Sequence, residues 1–433
     1  MSSSRPRTGL LVCSALLAML VSLVAGVSSA ERPIVIVLSW DGVRHDYLDR
    51  AEFRGLGRIE DDGLRAERLI PIFPSSTFPN HVALATGTYA DRHGIVANVF
   101  RDSKRGVYNY AADGEYAADA AWMDAEPLWV TAERQRVLAA VFFWVGSETD
   151  WHGVGATYRK TPFDSDIGEA EKVDQILSWL DLPEARRPGL IMSWWHGADR
   201  VGHTKGPNHP DIAIELQKQD EHLQRLLAGI DRRDGWGHTT LFIVSDHGMT
   251  EVTEPLRIRE PLERAGIAAD VRVGAAVARV YLEDPKLRDA AYRVLKALSD
   301  TKVYTAETIP DALRVKHSSR NGDLMLVTTP PHTFRTKGMA RTVAAWFGGR
   351  FTHRKTGAHG YAPDHPDMGA IFLGMGRGLP RGVRIGAVRN IDIAPTIAML
   401  LGIDPPAQAE GRVIRELDST AGTGTELGAP RGR

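Results

Sequence analysis

Five short apolar runs, each followed at once by a turn carrying Gly or Asp, constrain this chain more than any other feature. They span residues 34–39, 137–144, 190–195, 240–245 and 370–373. Runs so nearly continuous in apolar residues suit strands buried on both faces. Between them lie longer stretches, such as 212–230 and 287–298, whose apolar residues recur at helical spacing. Strands alternating with helices predict an α/β fold with a central, mostly parallel sheet and helices on both faces. In such folds the functional site forms outside the carboxyl ends of the strands.

Asp and His occupy those ends here. Asp41 closes the first run in Leu38-Ser39-Trp40-Asp41-Gly42, and Asp246-His247 closes another in Val244-Ser245-Asp246-His247-Gly248. Asp199 and His203 follow a third, and His359 stands in Gly357-Ala358-His359-Gly360 just ahead of the last. One Asp-Gly is usually a turn and one His is usually polar surface. Six such residues at the same kind of position point to metal ligation, because carboxylate oxygen and imidazole nitrogen suit zinc and other first-row divalent ions. Cys13 is the only cysteine. A mature chain lacking it has no thiolate ligand, disulfide or cysteine nucleophile.

A second feature is Phe73-Pro74-Ser75-Ser76-Thr77-Phe78-Pro79-Asn80-His81. Ser76 or Thr77 is expected to cap a helix whose first turn holds Pro79. A hydroxyl there lies beside free backbone N–H groups and the positive end of the helix dipole, which favour phosphate. With a divalent ion to remove its proton, Thr77 can attack phosphorus, while a second ion about 3.5–4 Å away stabilises the opposite oxygens. Asn98 can donate its amide to a phosphate oxygen. The glycine-rich Gly374-Met375-Gly376-Arg377-Gly378 lacks dinucleotide spacing and is expected to be a turn. No phosphate-loop lysine motif is present, so an ATPase is unsupported.

The ends read differently from the middle. Arg5 and Arg7, the apolar run 9–27 and Ser28-Ser29-Ala30 describe a secretory signal peptide cleaved after Ala30, implying a periplasmic or secreted protein; the rival is a retained membrane anchor. Residues 31–415 would form the metal-dependent domain, with 250–352 as a lobe or elaborated connection and 416–433 as a flexible tail. Net charge is −1, so no global field attracts nucleic acid or an anionic membrane.

Taken together, these motifs resemble the nucleotide pyrophosphatase/phosphodiesterase family of the alkaline phosphatase superfamily. The likeness runs from Ile34 to about Ile403 and includes Asp199-x-x-Gly202-His203-x-x-Gly206-Pro207, Asp246-His247-Gly248-Met249 and His359-Gly360-Tyr361. It extends to Phe143-Trp144-x-Gly146-Ser147 and to Val173-Asp174-Gln175. The resemblance implies an alkaline-phosphatase-like fold and two zinc ions. One ion would be held by Asp199, His203 and His359, the other by Asp41, Asp246, His247 and the Thr77 oxygen. It implies attack by Thr77, a phospho-threonine intermediate, phosphate contact by Asn98, and Phe78 and Trp194 flanking a nucleobase. The substrate would be a small phosphate ester, a nucleotide. One departure stands out: many family members have Glu-Glu-Pro where this chain has His196-Gly197-Ala198.

Two metals alone do not separate diester from monoester hydrolysis. A diester needs room and apolar surface, as Phe78 and Trp194 would give; a monoester rewards a nearby cation, as Arg159 or Lys160 would give. The rival readings are therefore an alkaline phosphatase-type monoesterase or a phosphonoacetate hydrolase-like enzyme. Outside catalysis, the rival is an exported metal- or phosphate-binding protein, though no ligand or nucleophile is lost.

Overall fold

Strand β1, Ile34–Trp40, is buried at every position because its two faces meet two different cores. Val35 and Val37 point to one side, Ile36, Leu38 and Trp40 to the other. The computed structural model describes residues 31–109, 119–335 and 356–417. The expected signal peptide, Cys13, residues 336–352 of the expected lobe and residues 418–433 of the expected tail 416–433 lie outside them; Glu416 and Leu417 instead close a short 3-10 turn, with Leu417 buried.

Seven further strands complete the large sheet: β2 (Gly63–Ala66), β3 (Ala139–Phe142), β4 (Tyr158–Lys160), β5 (Leu190–Trp195), β6 (Thr239–Val244), β7 (Phe372–Gly376) and β8 (Val383–Ile385). Their order is β8-β2-β7-β6-β1-β5-β3-β4. Only β7 runs against its neighbours, so the sheet is mostly parallel, as expected. Helices α2 (Thr77–Thr86) and α6 (Ile393–Leu401) pack on the Val35 face. On the opposite face lie α1 (Arg54–Asp62), α3 (Glu169–Leu180) and α5 (Asp211–Asp231). The short helix α4, Asp199–Lys205, follows β5.

The segment 374–378 meets expectation only at Arg377-Gly378, which turn; 374–376 departs from it. It lies inside β7 instead of forming a turn. A Cβ on Gly374 would come within 2.7 Å of the Phe242 ring, and one on Gly63 within 2.0 Å of the Gly374 carbonyl. The glycines answer close strand packing there, which composition alone cannot distinguish from a turn.

Beyond β6 the chain builds a second, four-stranded antiparallel sheet from Ala269–Val273, Val277–Leu282, Leu324–Thr328 and Thr301–Thr305. It carries its own apolar cluster, including Leu262, Val280, Leu295 and Phe334. The excursion begins and ends on paired strands: Thr250–Val252 runs antiparallel to Thr356–Ala358, with Thr250 opposite Ala358. That pairing returns the chain to the end of β6 one residue before His359.

Candidate active site

Strands β6, β1 and β5 are neighbours, and their carboxyl ends deliver Asp246-His247, Asp41 and Asp199 to one place. Gly42 permits this convergence. Its φ is +66°, and a Cβ there would lie 2.8 Å from the Asp199 Cα. All three carboxylates are buried, and each keeps one oxygen without a hydrogen-bond partner: Asp41 Oδ1, Asp199 Oδ1 and Asp246 Oδ2. Two of the second oxygens are held by donors: Asp246 Oδ1 accepts from Gly42 N–H at 3.1 Å, and Asp41 Oδ2 from the Trp194 indole at 3.0 Å.

The histidines are oriented in the same way. Nδ1–H donates to the Gly357 carbonyl in His203 (3.0 Å), to Gly248 in His247 (2.9 Å) and to Ser75 in His359 (2.9 Å). With that proton fixed, each neutral ring presents a lone pair on Nε2. Nε2 of His203 and Nε2 of His359 are 3.1 Å apart, and Asp199 Oδ1 lies 3.3 and 3.6 Å from them. On the other side, His247 Nε2 lies 3.0 Å from Asp246 Oδ2, 3.6 Å from Asp41 Oδ1 and 3.2 Å from Thr77 Oγ1. Bonds near 2.0–2.1 Å in a tetrahedral zinc site place ligand atoms about 3.3–3.4 Å apart. These acceptor-only sets therefore fit a divalent cation. The His247 and His359 rings stack with centroids 3.6 Å apart, so the sets adjoin and His247 reaches both.

The buried charges act strongly on one another: against the lowering effect of burial, Asp199 raises the pKa of His203 and Asp246 that of His247. Burial, then the charges of Asp246 and Asp199, pushes the Asp41 carboxyl well above its usual range. For Asp199 burial is outweighed by His203, which holds it at about 2. His359 falls to about 3 through burial and the neighbouring His247 and His203, keeping its nitrogen free to ligate.

Thr77 is the first residue of α2, as expected, but the capping is not done by Ser76 or Thr77. Asn98 Oδ1 instead accepts from Phe78 N–H at 3.0 Å, leaving its amide nitrogen as the group free to donate. Asn80 pins the approach, accepting from Ile72 N–H at 2.7 Å and donating to the Pro74 and Ser76 carbonyls at 3.0 and 2.9 Å. Phe78 is partly exposed and meets Tyr108 edge-on. Trp194 does not fit the expectation of an aromatic face open to a base: it is 4% exposed and engaged with Asp41.

His196-Gly197-Ala198 is accommodated beneath the site. Gly197, at φ +59°, passes so close to Asp41 that a Cβ would lie 1.9 Å from its carbonyl oxygen. Gln219 brackets it, accepting from its N–H at 3.1 Å and donating to its carbonyl at 2.6 Å. Two positioning groups went unread in the sequence. His81 donates to the Thr77 carbonyl at 2.8 Å, and its i+4 spacing from Thr77 was a visible signal. Arg44 ties the β1 loop to the Met249 carbonyl at 2.9 Å and to Asp367 at 3.2 Å, and nothing local announces it.

Residues 35–362 match the family model described as type I phosphodiesterase / nucleotide pyrophosphatase. An uncharacterized pyrophosphatase/phosphodiesterase of Schizosaccharomyces pombe is 31% identical over 385 residues, covering 86% of this chain and 77% of the yeast protein. The venom phosphodiesterase of Naja atra is 28% identical over 386 residues, but this chain spans only 44% of its length. Human ectonucleotide pyrophosphatase/phosphodiesterase 5 superposes with a TM-score of 0.76 at 26% identity, covering 86% of this chain and 96% of that one. An inactive variant of the murine counterpart in complex with AMP superposes equally well, with a TM-score of 0.76 at 24% identity over 87% and 96%.

Proposed function

The chain belongs to the type I phosphodiesterase / nucleotide pyrophosphatase family, and from that we propose that it hydrolyses nucleotide diesters and pyrophosphates through Thr77. The carrying observation is the pair of acceptor-only sets beside the Thr77 hydroxyl. Asp199, His203 and His359 would hold one divalent cation; Asp41, Asp246, His247 and Thr77 Oγ1 would hold the other, and zinc suits these donors. Such ions lower the pKa of a hydroxyl and neutralise charge on phosphate oxygens.

Thr77 Oγ1 attacks phosphorus, forming a Thr77 O–P bond as the bond to the leaving oxygen breaks, and the hydroxyl proton ends on that leaving oxygen. Water then cleaves that bond and returns a proton to Thr77. The Asn98 amide donates to a non-bridging oxygen, and the positive end of the α2 dipole favours its charge. The exposed part of Phe78 is assigned here to support the base. Trp194 is left out of base stacking and given to Asp41 instead. The monoesterase reading loses ground because Arg159 is paired with Asp150 and Lys160 is exposed on the edge strand β4. Export is part of this proposal, supported by the sequence up to Ala30 and by the venom and ectoenzyme names of relatives. Among the described residues no helix is long and apolar enough to cross a membrane.

The test is phosphodiesterase turnover by the zinc-loaded protein. Chelation and Thr77→Ala should each lower it by more than about 10³-fold, with zinc restoring only the chelated sample. Full activity in Thr77→Ala would remove Thr77 from the reaction.

A further inference from the structure

Lys172, on α3, is completely buried and projects toward the back of the site. Its ammonium lies 4.8 Å from the Trp194 ring centroid and 6.0 Å from that of Phe143. The nearest carboxylate oxygen, Glu169 Oε1, is 3.6 Å away, too far for a strong hydrogen bond. Glu169 is largely committed elsewhere: the same oxygen accepts from His196 N–H at 2.9 Å and from His196 Nδ1 at 2.7 Å. Burying an ammonium with so little compensation costs stability. Folding therefore does not explain its presence.

Its placement supplies a different reason. A cation on the face of an indole draws electron density from the ring, and the indole N–H becomes a stronger donor. That N–H is the one held by Asp41 Oδ2, opposite the unpartnered Asp41 Oδ1. The ring cannot swing away, because His196 and Phe163 flank it at centroid distances of 4.9 and 5.2 Å. His196, the first residue of the departure from the family pattern, thus helps to close this support.

We propose that Trp194 and Lys172 are positioning residues for the cation at Asp41: the indole turns Asp41 so that Oδ1 faces the ion, and the buried ammonium strengthens that grip. The inference rests on the two-cation reading of the site. The Glu169–Lys172 pair and His196 belong to the same support, but only the indole touches a ligand.

The experiment measures zinc stoichiometry and affinity by competition with a chromophoric chelator, alongside unfolding of the metal-free protein. Wild type should bind two ions, and Asp41→Asn should lose one of them. Trp194→Phe keeps the ring and deletes the donor; it should weaken that same ion about 10–100-fold and leave the other within about twofold. Lys172→Met should weaken the same ion less, and should add nothing in the Trp194→Phe background. The Lys172 ammonium makes no hydrogen bond, and Glu169 keeps its two bonds to His196 without it, so an apolar chain of similar length removes an uncompensated charge at little cost. Lys172→Met should therefore unfold no earlier than wild type in the metal-free state, which a merely structural lysine would not permit alongside weaker binding. Unchanged zinc affinity in Trp194→Phe, with Asp41→Asn losing an ion, overturns the inference alone. Fewer than two ions in wild type overturns the reading beneath it and the inference together.

Discussion

Asn98 shows how much one side chain can carry here. Its carbonyl caps α2 through Phe78 N–H, and in the proposed mechanism its amide nitrogen faces the substrate. A hydrogen bond to a charged partner contributes about 1.5–3 kcal/mol, so Asn98→Ala should lower kcat/KM roughly 10–100-fold. Zinc affinity should stay unchanged, and a parallel loss of zinc would mean that Asn98 shapes the metal sets instead. At this scale the sequence was most legible where a residue type and its place agree. Asp41, Asp199, Asp246 and His247 stand at or just beyond strand ends, and the structure brings them within reach of one another. Trp194 was less legible, because alternation along a strand gives an aromatic ring a face but not the partner of its N–H. Arg44 was illegible for a related reason: its partners Met249 and Asp367 lie far away in sequence.

Elements carry a second kind of information. The entry to α1 has no side-chain cap of its own. Asp220, buried on α5, accepts from Gly55 N–H at 2.9 Å and Leu56 N–H at 2.8 Å, so one helix caps another across the core. Asp220→Ala should cost about 2–3 kcal/mol in urea unfolding, because two backbone donors lose their acceptor in a buried setting. A loss below about 0.5 kcal/mol would show that water replaces the cap. Helical and strand periods located most of these elements: the expected helix 212–230 is Asp211–Asp231, and the expected helix 287–298 is Arg288–Lys296. Glycine was the weak point. Gly374 and Gly376 look like a turn from composition, yet sit in a strand, and they are glycine because Phe242, Leu379 and Thr239 leave no room for side chains.

For the whole molecule, the metal sets join parts that are distant in sequence. The first strand, two later strand ends and the return strand from the four-stranded lobe all meet there, and Arg279 of the lobe also donates to the Val96 carbonyl near Asn98 at 3.0 Å. Any ion bound only by the folded chain adds stability, about 2.7 kcal/mol at a free concentration 100 times its Kd. Chelation should therefore lower the unfolding midpoint, and zinc should restore it; a midpoint indifferent to zinc would mean that the sets stay empty. The large sheet could be read from its apolar runs, whereas 250–352 was expected only as a lobe or connection and not as a four-stranded sheet, since its outer strands Ala269–Val273 and Thr301–Thr305 are mostly half-buried and it carries no site residues. The central claim is preference for a nucleotide diester, and it is tested most directly by kcat/KM for the p-nitrophenyl ester of thymidine 5′-monophosphate against that for p-nitrophenyl phosphate. The zinc-loaded chain should favour the diester by at least about 100-fold, a difference near 2.7 kcal/mol in transition-state stabilisation, with both rates lost in Thr77→Ala. Equal rates, or a preference for the monoester, would contradict it and turn attention to Lys160 as a phosphate contact.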